Sequence, residues 1–186
     1  MNIAIYGGTF DPPHLGHYSI IREATKHVDR LLVIPAFQSP HKETAPTNPT
    51  DRLAMLQLLL QGFSNVTVDT LELERAARSY TYLTIQDIRA KYEASKIAII
   101  IGADQYNALD TWAKFPEWKN SVEFIVFGRE KYTVNVRTDI ITTQLDAEFD
   151  NLSSTDIRND IRQGKNIERL TGPAVATYIV QHNLYQ

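Results

Sequence analysis

A chain of 186 residues, 43% hydrophobic and 22% charged, is long enough for one globular domain with a sizeable core. Its net charge of −3 argues against a protein that coats nucleic acid polymers, and the absence of cysteine excludes disulfides, thiolate zinc sites and cysteine nucleophiles. The N-terminal residues lack the basic start and apolar stretch of a secretory leader, and no apolar run approaches the roughly 20 residues of a membrane span. A cytoplasmic protein without a membrane partner is therefore expected.

Ile3 to Tyr6 is a short apolar run closed by Gly7-Gly8, which predicts a buried strand. His14 to Val28 carries Leu15, Ile20, Ile21, Ala24 and Val28 at helical spacing. Leu31 to Ile34 predicts a second buried strand, ended by Pro35. Ala36 to Pro49 is read as a loop from Pro40, Pro46 and Pro49, and Thr50 as the cap of a helix running to Gly62. Val66 to Leu73 alternates and is read as a strand, and Thr81 to Tyr92 as a helix. Ile97 to Ile101 is a fully apolar strand closed by Gly102. Short helices are expected around Gln105 to Leu109 and Trp112 to Trp118, then a buried strand from Val122 to Phe127. The pattern weakens from Thr133 to Asp150. Ser154 to Arg162 and Pro173 to His182 are read as two closing helices.

Apolar strands alternating with amphipathic helices imply an α/β fold with a parallel sheet covered on both faces. Such sheets bind ligands at the carboxyl ends of their strands, where the Gly7-Gly8 turn and Gly102-Ala103-Asp104 both fall. No repeat, low-complexity tract or linker interrupts residues 1–186, so a single domain is expected.

The turn after the first strand is neither Gly-x-Gly-x-x-Gly nor a Walker A loop. Gly7-Gly8 alone fits a tight turn equally well. His14 and His17 alone fit metal binding, capping or packing, and no third metal ligand is apparent. Together the pieces point to one chemistry. A glycine loop entering a helix start offers backbone N–H groups and a helix dipole to a phosphate. Gly16 lets a ligand approach closely, and the two imidazoles can donate to phosphate oxygens as charge builds on them. Near the C-terminus, Ser153-Ser154-Thr155-Asp156 reads as a helix N-cap with an acidic first turn, a second anion site beside Arg158.

The segment Gly8-Thr9-Phe10-Asp11-Pro12, continuing through His14 and Gly16 to His17, resembles the signature of the nucleotidylyltransferase superfamily with the His-x-Gly-His motif. Class I aminoacyl-tRNA synthetases share the two histidines but also need a Lys-Met-Ser-Lys-Ser loop and a far longer chain. Further segments are similar to bacterial nicotinate-nucleotide adenylyltransferases. These are Pro40-His41-Lys42, Arg52 with Met55-Leu56, Glu74 with Ser79-Tyr80-Thr81, Ile101-Gly102-Ala103-Asp104 with Trp112, and Val175 with Tyr178-Ile179 and Leu184-Tyr185. The chain departs from the family at Arg129-Glu130-Lys131, where Arg-Pro-Gly is common, at Ala113 and at Gly172-Pro173.

The resemblance implies a Rossmann-like doubly wound parallel sheet of about five to six strands with C-terminal closing helices. It implies one nucleotidylyltransferase domain that moves the AMP part of ATP onto nicotinate mononucleotide, releasing pyrophosphate, with Mg²⁺ carried by the ATP. His14 and His17 would be catalytic. Gly7, Gly8, Thr9, Phe10, Gly102, Asp104, Arg129, Ser154, Thr155 and Arg158 would bind ATP. Lys42, Thr81 and Trp112 would bind the mononucleotide, with Trp112 stacked on the pyridine ring. Nicotinamide mononucleotide or another acceptor, and a sensor that binds nucleotide without turnover, are the alternatives. A homo-oligomer is compatible with this sequence.

Overall fold

The computed structural model describes residues 1–40, 45–92, 96–128, 133–148 and 152–186. Six parallel strands form its sheet: β1 (Asn2–Gly8), β2 (Arg30–Pro35), β3 (Val66–Val68), β4 (Lys96–Gly102), β5 (Glu123–Phe127) and β6 (Thr142–Leu145). Their order across the sheet is β3-β2-β1-β4-β5-β6. The chain thus winds outward from β1 in one direction and from β4 in the other, leaving a topological switch point between them. Among the described residues no helix is long and apolar enough to cross a membrane.

Alternation along each strand divides the core into two layers. Ala4, Tyr6, Leu31, Val33, Ala98, Ile100, Ile125 and Phe127 face one layer. There they meet Ile21 of α1 (Leu15–Ala24), Met55, Leu56 and Leu59 of α2 (Pro49–Leu59), Ile157 of α7 (Ser154–Arg162) and Val175 and Ile179 of α9 (Pro173–Gln181). Ile3, Ile5, Leu32, Ile34, Ile97, Ile99, Ile101, Phe124 and Val126 face the other. Their partners are Ile85 and Ile88 of α4 (Thr81–Tyr92), Tyr106 of α5 (Ala103–Asn107) and Phe115 and Trp118 of α6 (Phe115–Trp118). Two short helices complete the chain: α3 (Leu71–Arg75), and α8 (Glu168–Thr171), whose Leu170 packs on the first layer. The continuous apolar runs of β1, β2, β4 and β5 therefore report burial on both faces, as expected from the sequence.

Several elements differ from their sequence reading. Helix α2 is capped by Asn48, whose side chain accepts from the Thr50 N–H, and Pro49 stands inside its first turn, where the missing N–H costs nothing. The strand expected from Val66 to Leu73 stops at Val68, because the Asp69 carboxylate accepts from the Leu71 N–H and turns the chain into α3. The alternation of Leu71 and Leu73 belongs to that helix. Trp112 to Trp118 is not one helix. A 3-10 turn (Leu109–Thr111) ends at an extended Trp112, Lys114 adopts φ 57°, and α6 starts afresh with Pro116 in its first turn. Strand β6 lies in the weakly patterned stretch after Thr133: it is an edge strand of polar sequence, Thr142-Thr143-Gln144, with no apolar run to betray it.

Candidate active site

A cleft of about 480 Å³ opens at the switch point. Its floor is the carboxyl halves of β1 and β4, from Ile5 to Thr9 and from Ile99 to Gly102. One wall carries His17, another Asp104, Thr111 and Trp112, and a third Glu72 with Ser79, Tyr80 and Thr81. Eight of the fifteen predicted site residues, Gly7, Gly8, Thr9, His17, Thr81, Gly102, Asp104 and Trp112, thus line one space, while Phe10, His14, Ser154, Thr155 and Arg158 lie outside its lining.

The first motif is built from its glycines upward. A side chain at Gly7 would meet nothing within 4 Å, whereas at Gly8 a Cβ would sit 2.9 Å from the Phe10 ring. Gly8 is therefore the position that admits Phe10 beneath the loop. Phe10 itself has φ 50° and is 2% exposed. Its ring packs edge-on against Tyr6 at 5.5 Å and against the His17 imidazole at 4.9 Å. The Phe10 side chain lies in the core, where an apolar ring gains by leaving water, and it buttresses His17 from behind.

His14 is the N-cap of α1 and is buried, and His17 stands one turn in. The two imidazoles stack at 3.7 Å. The His14 backbone N–H donates to His17 Nδ1 across 3.2 Å. That bond makes Nδ1 an acceptor, so the neutral ring carries its proton on Nε2.

The second motif meets the first directly. Ser153 caps α7 by accepting from the Thr155 N–H, as the sequence suggests. Ser154 Oγ donates to the Pro12 carbonyl at 2.9 Å. Arg158 Nη1 donates to the Asp11 carbonyl at 2.7 Å, and Nη2 reaches Thr155 Oγ at 3.2 Å. The Arg158 guanidinium thus ties the two motifs together, and the α7 N-terminus lies against the loop that leads into His14 and α1.

Gly102 ends β4 and is the N-cap of α5, with Asp104 in that helix's first turn. Trp112 leans on Trp118, ring centres 6.2 Å apart, while Trp118 Nε1 donates to the Ala113 carbonyl at 3.1 Å. The Trp112 indole N–H is buried without a partner among the described residues. Thr81 begins α4. Lys42 and Arg129 lie outside the described residues. Among the described residues no three His, Asp or Glu side chains converge as a metal-ligand set.

Three residues of structural weight escaped the list of expected site residues. Arg52 is fully buried. Its Nη1 donates to the Thr9 and Ala36 carbonyls at 2.8 Å each and its Nε to the Thr47 carbonyl at 2.9 Å. The signal was present: Arg52 shares the helix face of Met55, Leu56 and Leu59, where a charged residue needs buried partners. Tyr185 donates to Asp11 Oδ1 at 2.7 Å, and burial first, then the Asp11 charge, pushes its phenol well above the usual range. Glu72 lines the cleft and is 6% exposed. Burial pushes its carboxyl up, and hydrogen bonds from Ser79 and Thr84 only partly offset that.

Residues 5–160 match the model of the cytidylyltransferase-like family. A relative from Listeria monocytogenes serotype 4b, named "Probable nicotinate-nucleotide adenylyltransferase", is 35% identical over 98% of this chain and 96% of its own. Among solved structures, the Plasmodium falciparum nicotinic acid mononucleotide adenylyltransferase complexed with APC is 18% identical, with a TM-score of 0.83 over 99% of this chain and 96% of that one. The same protein complexed with NaAD is 19% identical, with a TM-score of 0.81 over 99% and 97%. Those two likenesses establish the doubly wound fold. The sequence likeness runs almost end to end, and with the family match it decides the assignment: this chain belongs to the cytidylyltransferase-like proteins, in the nicotinate-nucleotide adenylyltransferase family.

Proposed function

We infer that the protein transfers the adenylyl group of ATP to nicotinate mononucleotide, giving deamido-NAD and pyrophosphate in NAD biosynthesis. The observation that carries this reading is the single cleft that joins a glycine loop and His17 at one end to Thr81 and Trp112 at the other. A phosphate-handling centre beside an aromatic pocket suits two nucleotides meeting head to head.

A phosphate oxygen of the mononucleotide attacks the α-phosphorus of ATP. The new P–O bond forms as the bond to the β-phosphate breaks, and pyrophosphate leaves with its electron pair. The nucleophile is already anionic near neutral pH, so no general base is required. The chain's own contribution is alignment and charge stabilisation. His17 donates from Nε2 to a phosphate oxygen as negative charge grows there, and His14 holds it in register. The backbone around Gly7, Gly8 and Thr9 gives the triphosphate close approach. Ser154 and Thr155 at the α7 N-terminus offer a second anion site, with Arg158 fixing its distance from the first. Gly102 and Asp104 receive the ATP ribose, while Thr81 and Trp112 hold the pyridine. Residues 1–186 act as one catalytic domain. Mg²⁺ enters as part of the nucleotide substrate, bound by its phosphates.

Incubation with MgATP and, separately, nicotinate or nicotinamide mononucleotide tests the reading through pyrophosphate release. Preferential release with the acid supports it. Faster turnover of the amide reassigns the acceptor, and no release with either leaves a nucleotide-binding sensor.

A further inference from the structure

Glu72 has no part in the chemistry above, yet it is an almost fully buried carboxyl facing the acceptor end of the cleft. A buried acid is a costly choice where a neutral side chain would pack. Its neighbours indicate what it achieves. Thr84 Oγ, from the first turns of α4, donates to Glu72 Oε1. Ser79, just ahead of that helix, lines the cleft beside Glu72, and its hydroxyl favours the charged form of that carboxyl. Ser79 Oγ accepts from the Phe37 N–H at 3.0 Å, which leaves its own hydroxyl proton to turn toward the Glu72 carboxyl. The Ser79 N–H donates to the Gln38 carbonyl at 2.9 Å, and Gln38 and Arg78 form a parallel bridge.

Glu72 on α3 therefore accepts from the Thr84 hydroxyl on one side of Tyr80 and Thr81 and stands beside the Ser79 hydroxyl on the other. Through Ser79 it also reaches the segment that follows β2. We propose that Glu72 is a positioning residue for the acceptor site: its carboxyl fixes the Ser79-Tyr80-Thr81 turn so that Thr81 and the adjacent backbone are preformed for the pyridine end of the mononucleotide. It acts through Ser79 and Thr84. The inference rests on the acceptor reading given above, and its test keeps the two separable.

The Glu72→Gln variant keeps size and burial while weakening both hydroxyl contacts. Its KM for nicotinate mononucleotide rises about tenfold, the scale of a hydrogen bond to a charged acceptor, with kcat and the KM for ATP within about twofold. Thr84→Val removes one donor, leaves Glu72 in place and moves the same KM in the same direction. An acceptor KM that stays put, falls, or moves together with the ATP KM overturns the proposal. Amide hydrogen exchange supplies a readout free of any substrate. Faster exchange in Glu72→Gln confined to residues 79–84 is expected, and unchanged exchange there also overturns it. If the wild-type protein releases no pyrophosphate with nicotinate mononucleotide, the acceptor reading fails on its own, and the exchange result still decides whether Glu72 orders the turn.

Discussion

His14 and His17 are coupled through the backbone: the His14 N–H donates to His17 Nδ1 at 3.2 Å, while the two rings stack at 3.7 Å. The bond satisfies an orphan N–H at the start of α1 and fixes which ring nitrogen of His17 carries the proton. Donation from Nε2 is then available at the cleft without any tautomer change. His17→Ala should lower kcat at least ~100-fold, the scale of losing one such donor, with the fold retained. His17→Gln places an amide N–H near the Nε2 position, whereas His17→Asn reproduces only the Nδ1 end. Glutamine should therefore retain more turnover than asparagine in a pyrophosphate-release assay, and the reverse order would contradict the Nε2 assignment.

Arg52 carries a second prediction. Burial draws its pKa below the ordinary guanidinium value, with Asp11 opposing, and its donors hold carbonyls of Thr9, Ala36 and Thr47. Arg52→Ala removes the donors and leaves those acceptors facing a void. The loss of stability should exceed about 3 kcal/mol, read from the denaturant midpoint. Arg52→Lys offers a point charge that cannot reproduce the planar fork, and should recover only a minor share.

How far the sequence discloses this molecule depends on what kind of burial each segment undergoes. β1, β2, β4 and β5 are buried on both faces, so their apolar runs are unmistakable. β6 is an edge strand with exposed polar residues and leaves no such trace. The His14–His17 and Ser153–Arg158 segments are contiguous, so local chemistry announces them. Glu72 is hidden for the opposite reason. Its partners Ser79 and Thr84 lie beyond a turn, and the flanking Leu71 and Leu73 mimic a strand's alternation. The inward direction of the Phe10 ring is hidden because a motif names residues without saying which way each side chain points.

Arg137 makes a third prediction, for the wall bearing Trp112. Its Nη atoms reach both oxygens of Asp110 at 2.9 and 3.0 Å, and it also holds Asp139, which Lys119 bonds from the other side. Arg137, then Lys119, keeps the Asp139 carboxyl well below its usual range. Asp110 lies in the 3-10 turn that delivers Trp112 to the cleft. Arg137→Gln should raise the KM for the mononucleotide by about threefold and leave the ATP KM unchanged, since the lost ion pairs are near the surface. Added salt should bring the wild-type value toward that of the variant, because exposed pairs are screened. An acceptor KM insensitive to both changes would remove this clasp from the site.

Asp69 and Glu72 lie at the two ends of one turn and shift in opposite directions. Burial pushes the Asp69 carboxyl up, but Lys91, Tyr92 and the Leu71 N–H outweigh it and leave the group below its ordinary value of 3.8. A depressed folded pKa contributes stability that is fully present above pH 3.8 and lost as pH falls through the folded value. Glu72 is raised above 4.5, mainly by burial. The fold therefore disfavours its ionised form: that penalty is absent below pH 4.5 and grows as pH rises through the folded value. Thermal unfolding between about pH 3 and pH 8 separates the two, since each neutral amide cancels only its own titration. Asp69→Asn should lower Tm most at neutral pH, with the deficit closing in acid. Glu72→Gln should instead gain on the wild type as pH rises, even while its acceptor KM worsens. Parallel profiles for the two variants would mean that these carboxyls are not shifted apart by the fold.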